Sequence, residues 1–479
     1  MCNRIMIAGT GSGCGKTTIT CALLAALVSM GKDIISFKCG PDYIDPMFHK
    51  KVTGVESRNL DVFLMGEKIV KYSVACHAAN RDIALIEGVM GIYDGLGSGS
   101  FASSNHVSVL TNTPAILIVN AKGAALSVCA MIKGFLEFDK NNIRGIILNN
   151  VPEAMFNYYQ QMIKDRFKVN VIGFMPHIPE AQIESRHLGL ITADEITDIK
   201  DKIRTLASNA LKYIDIAKLL DIAGQEPLDG SIVADHGRFL LKSDASIKSS
   251  DSVKIYVACD EAFLFWYEDN HDLLKALGAD IKFFSPVYDK ELPEDADGLV
   301  LWGGYPELYS GLIQKNKTMK KSLNFAIDSG LPVYAEGGGF MFLHERLTDL
   351  RDVTYEMMGV LPGEVKMTDK LQNFGYYELK AQKDNLLCKA GDKINAHFFR
   401  RSISNNEGNC FKAVKQNGKT FPCIISHKNI FAGYQHLHFW GNPSFAENFV
   451  KACIKYKNRV GGALNELYNQ SGRNRKKKF

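Results

Sequence analysis

Residues 9–18, Gly-Thr-Gly-Ser-Gly-Cys-Gly-Lys-Thr-Thr, bring together what phosphate chemistry needs: backbone free of side chains, a fixed cation and adjacent hydroxyls. Gly11, Gly13 and Gly15 let peptide N–H groups turn inward around phosphate oxygens. Lys16 adds a point charge, and Thr17, followed by Thr18, is placed to put its hydroxyl on Mg²⁺. Arg4-Ile5-Met6-Ile7-Ala8 reads as a buried strand before this run, and Ile19 to Met30 as a helix after it. Strand, glycine loop and helix in that order predict a nucleoside triphosphate site, with the helix N-terminus adding its positive end. From Gly9 to Gly15 the loop is one residue longer than the common spacing, which places it in a subclass.

Further charged groups follow two later strands. Lys38 precedes the tight Gly40-Pro41 turn, and Asp42, Tyr43 and Asp45 lie just beyond it. Glu87 ends another apolar run, with Asp94 in the loop after it. A phosphate-bound Mg²⁺ takes one or two protein carboxylates besides the loop hydroxyl. Thr17, Glu87 and Asp42 are therefore the expected metal ligands, with Asp45 and Asp94 supporting them or facing the substrate. The same loop acids also suit helix caps and turns.

The elements that must position these groups alternate. Strand candidates are Ile5–Ala8, Ile34–Lys38, Ile83–Ile86, Ala115–Val119, Gly145–Leu148 and Val171–Phe174, separated by helix-length segments. That alternation predicts an α/β fold with a doubly wound parallel sheet, whose ligands sit at the carboxyl ends of its strands. The pattern fades between Gly224 and Ser252, and a second α/β series starts at Val253. The expected organisation is a first domain over 1–223, a linker over 224–252, a second domain over 253–460 and a disordered basic tail over 461–479. With 479 residues, 46% hydrophobic and 23% charged, two ordinary globular domains are the natural reading. The longest apolar run, Ala22 to Met30, is far short of the ~20 residues that span a bilayer. Eleven cysteines without C-x-x-C pairs suit a reducing cytoplasm. A net charge of +5 comes partly from the terminal Arg473–Lys478 run, and no aromatic-interleaved basic stretch supports nucleic-acid binding.

Several of these runs together resemble the cobyrinate a,c-diamide synthase family. They are Ala8–Thr18, Gly40–Pro46, Ser57-Arg58-Asn59-Leu60-Asp61, Glu87–Gly91 and Arg186–Leu190 in the first part. Asp260–Phe263, Phe284-Ser285-Pro286 and Gly303–Leu308 carry it in the second. The resemblance implies a first domain similar to dethiobiotin synthetase and a second similar to class I glutamine amidotransferases. It implies ATP- and Mg²⁺-dependent amidation of peripheral carboxylates on a tetrapyrrole such as cobyrinate or (nickel-)sirohydrochlorin, through an acyl phosphate, by a homodimer. It also places Asn149 at the family's adenine-reading asparagine, and Lys122 and Ser127 toward the substrate. A strand-end turn, a surface lysine and a helix N-cap remain the alternatives for these three.

One position breaks the pattern. The family's Tyr-Ala-Glu-Cys-Gly-Gly turn, whose cysteine attacks glutamine, reads Tyr334-Ala335-Glu336-Gly337-Gly338-Gly339 here. Glycine offers no thiolate, so no glutamyl thioester can form on it. The partner histidine persists as His436, a relic or a structural hydrogen bonder. A second departure replaces a glutamate and a histidine of the family by Phe398 and Arg400. The expectation is a ligase with a defective glutaminase site, dependent on ammonia or an external ammonia donor. The alternative is a nucleotide-dependent tetrapyrrole-binding or carrier protein that makes no amide.

Overall fold

The computed structural model describes residues 3–182, 185–186, 189–190, 198–224 and 252–475, with side chains described up to residue 460 and not at 185–186 or 189–190. The chain forms two compact units, Met1–Arg238 and Phe239–Phe479. Nearly all of the expected linker, His187 and Leu188 of the Arg186–Leu190 run, and residues 476–479 lie outside the described residues.

In the first unit, β1 (Asn3–Gly9), β2 (Ile34–Cys39), β3 (Ser57–Leu60), β4 (Ile83–Glu87), β5 (Ala115–Asn120), β6 (Ile143–Asn149) and β7 (Asn170–Met175) make one sheet. Their order is β3-β2-β4-β1-β5-β6-β7, and every pairing is parallel. Ile5, Ile7, Leu85, Ile86, Ile116 and Ile118 are all 0% exposed, which is why the central strands are apolar throughout instead of alternating. Helix α1 (Lys16–Ser29) follows β1, and α2 (Ile44–Thr53) follows β2. Because the strands are parallel, Gly9, Cys39, Glu87, Asn120 and Asn149 all end at one edge of the sheet.

All six expected strands of this unit are present, each extended by one to three residues. The edge strand β3 was not expected. Ser57-Arg58-Asn59-Leu60 has no apolar run, and its pairing with β2 alone makes it a strand. Asn59 repays that pairing locally: its amide donates to the carbonyls of Gly40 at 2.9 Å and Asp42 at 2.8 Å, pinning the loop after β2.

The second unit holds a six-stranded sheet. Its strands Ala279–Phe284, Val253–Ala258, Gly298–Leu301, Val333–Glu336 and Ile430–Gly433 run parallel in that order, and Ile425–His427 pairs antiparallel at the edge. The sequence pattern did not announce the second sheet of this unit, built on the antiparallel pair Leu361–Ala381 and Lys393–Ser404. The chain passes from one sheet to the other at Tyr434, and Gln435–Leu437 then pairs with Lys393–Ser404. That crossing delivers His436. The last helix, Ser444–Arg475, continues through residues 461–475, where the sequence suggested a disordered tail. Among the described residues no helix is long and apolar enough to cross a membrane.

Candidate active site

Helix α1 begins at Lys16 with no side chain capping its first N–H groups and no acidic residue in its first turn. Those N–H groups and the positive end of the helix are left for an anion. Gly13 at φ +74° and Gly15 at φ +101° turn the loop in conformations that side chains rarely adopt. A Cβ on Gly15 would stand 2.1 Å from the Asn149 amide nitrogen. That amide donates to the Cys14 carbonyl at 2.9 Å, so Asn149, at the end of β6, braces the loop from the neighbouring strand end. Gly11 has open space around it, and its carbonyl accepts from the Lys16 ammonium at 2.9 Å. Burial, reinforced by the charge of Lys38, lowers the Lys16 pKa. Thr18 lies half-buried in the first turn of α1.

Beside this loop, charges meet in an apolar surround. Lys38 and Glu87 face one another in register on β2 and β4. One oxygen of Glu87, Oε1, accepts from the Thr17 hydroxyl at 2.5 Å and from Lys38 Nζ at 2.8 Å. Its other oxygen lies 2.8 Å from Nε2 of His49. Lys38 also pairs with Asp45. Asp45 and His49 both come from α2, one helical turn apart, so they share a face. That spacing was readable in the sequence, but His49 was missed because a lone histidine between Phe48 and Lys50 belongs to no motif.

Burial opposes ionisation of Glu87, yet the Lys38 charge and the His49 contact outweigh it and hold the carboxyl well below the usual range. Burial likewise opposes the Lys38 ammonium, and Asp45, Glu87 and Asp42 overcome it and raise its pKa. For Asp45 burial wins: together with the charges of Asp42 and Glu87 it outweighs Lys38 and pushes the carboxyl up to about 7. Buried ions cost several kcal/mol each, and well-packed apolar residues would serve stability as well or better. Such a cluster of perturbed groups makes this strand edge the candidate functional site.

The remaining site candidates fall around this centre. Half-buried Asp42 accepts from the Ile44 N–H at 2.9 Å and so starts α2, while its charge still acts on Lys38 and Asp45. Tyr43, directly before α2, is buried. Asp94 is exposed and accepts from the Gly91 N–H at 2.7 Å, closing the loop after β4. Lys122 and Ser127 are exposed beyond the end of β5, Ser127 as the first residue of the helix Ser127–Glu137. Neither bonds to the Lys38–Glu87 cluster among the described residues.

Among the described residues no group of three or more His, Cys, Asp or Glu side chains is arranged to hold a metal ion. A Mg²⁺ ion that keeps phosphate and water ligands does not need one. The hard oxygen donors of Thr17 and Glu87, converging 2.5 Å apart at the helix start, fit such an ion.

In the second unit, Gly337 stands between the strand Val333–Glu336 and the helix Gly338–Leu343 at φ +52°. A Cβ there would lie 2.7 Å from Cε1 and 3.1 Å from Nε2 of His436. His436 Nδ1 is 3.1 Å from Glu336 Oε1, and the other Glu336 oxygen accepts from the Tyr334 hydroxyl at 2.7 Å and the Leu437 N–H at 3.2 Å. Glu336, passed over in the sequence, thus orients a buried histidine toward a residue that has no side chain. No cysteine occurs between Cys259 and Cys388 to replace it. The departing residues nearby serve packing. Phe398 stacks edge-on against Tyr377 and Phe421, and Arg400 lies 3.7 Å over the Tyr434 ring and pairs with Glu407.

Residues 5–190 match the CobQ/CobB/MinD/ParA nucleotide binding domain, and residues 254–444 match the CobB/CobQ-like glutamine amidotransferase domain. Cobyrinate a,c-diamide synthase of Clostridium tetani is 41% identical over 452 residues, covering 93% of this chain and 99% of the relative. The enzyme of the same name from Clostridium acetobutylicum is 39% identical over 455 residues, covering 93% and 99%. That of Caldanaerobacter subterraneus subsp. tengcongensis is 37% identical over 461 residues, covering 95% and 99%. With these matches running the length of both units, the chain belongs to the cobyrinate a,c-diamide synthase family.

Proposed function

We propose that this protein is an ATP- and Mg²⁺-dependent ligase that amidates peripheral carboxylates of a tetrapyrrole, of the a,c-diamide type, and takes its nitrogen as ammonia. A carboxylate is a poor electrophile, so its oxygen first attacks the γ-phosphorus of ATP and ADP leaves. The lone pair of ammonia then attacks the acyl carbon of the resulting acyl phosphate, phosphate departs and the nitrogen loses a proton. The chain's task is alignment and charge neutralisation, since little covalent chemistry falls to protein groups in phosphoryl transfer.

The loop at Gly11, Gly13 and Gly15, with Lys16 and the start of α1 at Thr17 and Thr18, holds the phosphates. Mg²⁺, when bound, neutralises phosphate oxygens, and Thr17 and Glu87, with Asp42 nearby, are the residues that would hold it. Lys38, anchored by Asp45 and Glu87, keeps a cation beside the transferring group. Asn149 supports the nucleotide side through its bond to the loop. Tyr43, Asp94, Lys122 and Ser127 are assigned to the substrate side. The second unit is assigned as a scaffold whose Glu336–His436 pair has no thiol to activate. The observation that carries this reading is the sharing of one Glu87 oxygen by Thr17 and Lys38 at the start of α1.

The test is product formation by purified protein with ATP, Mg²⁺ and a polycarboxylate tetrapyrrole, followed by mass spectrometry. Ammonium supports amide formation and glutamine alone does not. Glutamate released from glutamine by the pure protein would overturn the assignment at Gly337. Tetrapyrrole binding with ATP hydrolysis and no amide in any product would make the chain a carrier instead.

A further inference from the structure

We infer that His49 is a positioning residue for Glu87: its imidazole holds one carboxylate oxygen so that the other stays turned toward Thr17 and Lys38. The two oxygens of Glu87 have divided duties. Thr17 and Lys38 share Oε1, and the His49 ring occupies Oε2. Both side chains of the His49–Glu87 pair are 0% exposed, so water does not compete for the 2.8 Å contact.

The far side of the ring is also engaged. Its Nδ1 lies 3.1 Å from the Ser36 hydroxyl and 3.4 Å from the Ser57 hydroxyl. With either hydroxyl donating to Nδ1, the ring proton sits on Nε2, which packs 2.8 Å from Glu87 Oε2 without the alignment of a hydrogen bond. Helix α2 carries Asp45 against Lys38 and His49 against Glu87, so one helix sets both halves of the ion pair. A carboxylate backed at one oxygen by a buried ring cannot swing away when phosphates and their metal arrive, the service that outer partners render at metal sites.

The inference rests on the amidating reading where turnover is the readout, and nucleotide binding tests it separately. The variants are H49L, which removes the donor, H49N, whose amide is too short to reach Glu87, and H49Q, whose amide reaches toward the place of Nε2. In H49L and H49N the kcat of ammonium-dependent amidation falls about 10- to 100-fold with KM for the tetrapyrrole unchanged, and H49Q regains most of it. A fluorescent ATP analogue titrated at rising Mg²⁺ needs more Mg²⁺ for half-maximal binding in H49L and H49N, and the requirement returns toward wild type in H49Q. Should H49L lack a cooperative melt, the H49N and H49Q pair decides the matter. Wild-type kcat in H49N, or equal losses of activity and melting temperature in H49N and H49Q, would overturn the inference. If the wild type forms no amide, the functional reading fails while the Mg²⁺ titration still decides the role of His49.

Discussion

Gly337 shows how much one residue can settle. Its φ of +52° is a conformation that costs a residue with a side chain about 1–3 kcal/mol. Active nucleophile turns accept that strain because it exposes the attacking atom. Here the backbone keeps the strained turn, and His436 stands where a side chain would go, 2.7 Å from the position of a Cβ. G337A therefore adds both backbone strain and a clash with a histidine that Glu336 holds in place. The expected outcome is a lower melting temperature by scanning calorimetry, with ammonium-dependent turnover retained below the transition. An unchanged melting temperature would mean that neither the turn at 337 nor the His436 ring resists a methyl group. Glu87 makes the complementary point in the first unit, where a single carboxylate serves a hydroxyl, an ammonium and an imidazole at once.

At the scale of elements, the phosphate loop is held by what lies beside it as much as by its own glycines. Asn149 reaches from the end of β6 to the Cys14 carbonyl, and Asn59 reaches from β3 to the loop after β2. Each strand end therefore trims a loop that belongs to another strand. Removing the Asn149 amide in N149A opens space beside Gly15 and leaves the Cys14 carbonyl without this donor. A lost hydrogen bond of about 1 kcal/mol corresponds to roughly a fivefold weaker nucleotide complex, measured by fluorescence titration. An unchanged affinity would show that the loop holds its shape unaided. The element most legible in the sequence was the glycine loop with its flanking strand and helix. The edge strand β3 was illegible because four mostly polar residues carry no period. The antiparallel sheet of the second unit escaped for a related reason: along Leu361–Ala381 buried positions are few and irregularly spaced.

For the whole molecule the response to acid is a balance: buried histidines weaken the fold as pH falls, while Asp45 and Glu307, both pushed up to about 7 with burial as the main cause, act the other way. Burial pushes His438 down to about 4, and burial with the nearby His436 charge pushes His397 down to about 3. In the unfolded chain a histidine titrates near ~6.5. Between that value and the lowered ones, the unfolded chain binds histidine protons that the folded chain refuses, so the histidine contribution to stability falls as pH falls. Each such histidine contributes about 1.4 kcal/mol per pH unit within that window. Between pH 7 and pH 5 the melting temperature of H438F, whose ring does not titrate, is expected to drop less than that of the wild type. Equal drops in both proteins would sink the assignment. Sequence alone determined the glycine loop and the absence of a nucleophile at 337, because a phosphate cradle is built from consecutive backbone and a missing sulfur is read directly. It also determined the central parallel strands, since burial on both faces demands unbroken apolar runs. Tertiary structure decided the rest. Thr17 and Glu87 are 70 residues apart and Glu336 and His436 are 100 apart, and only the order in which strands pair decides that such residues meet.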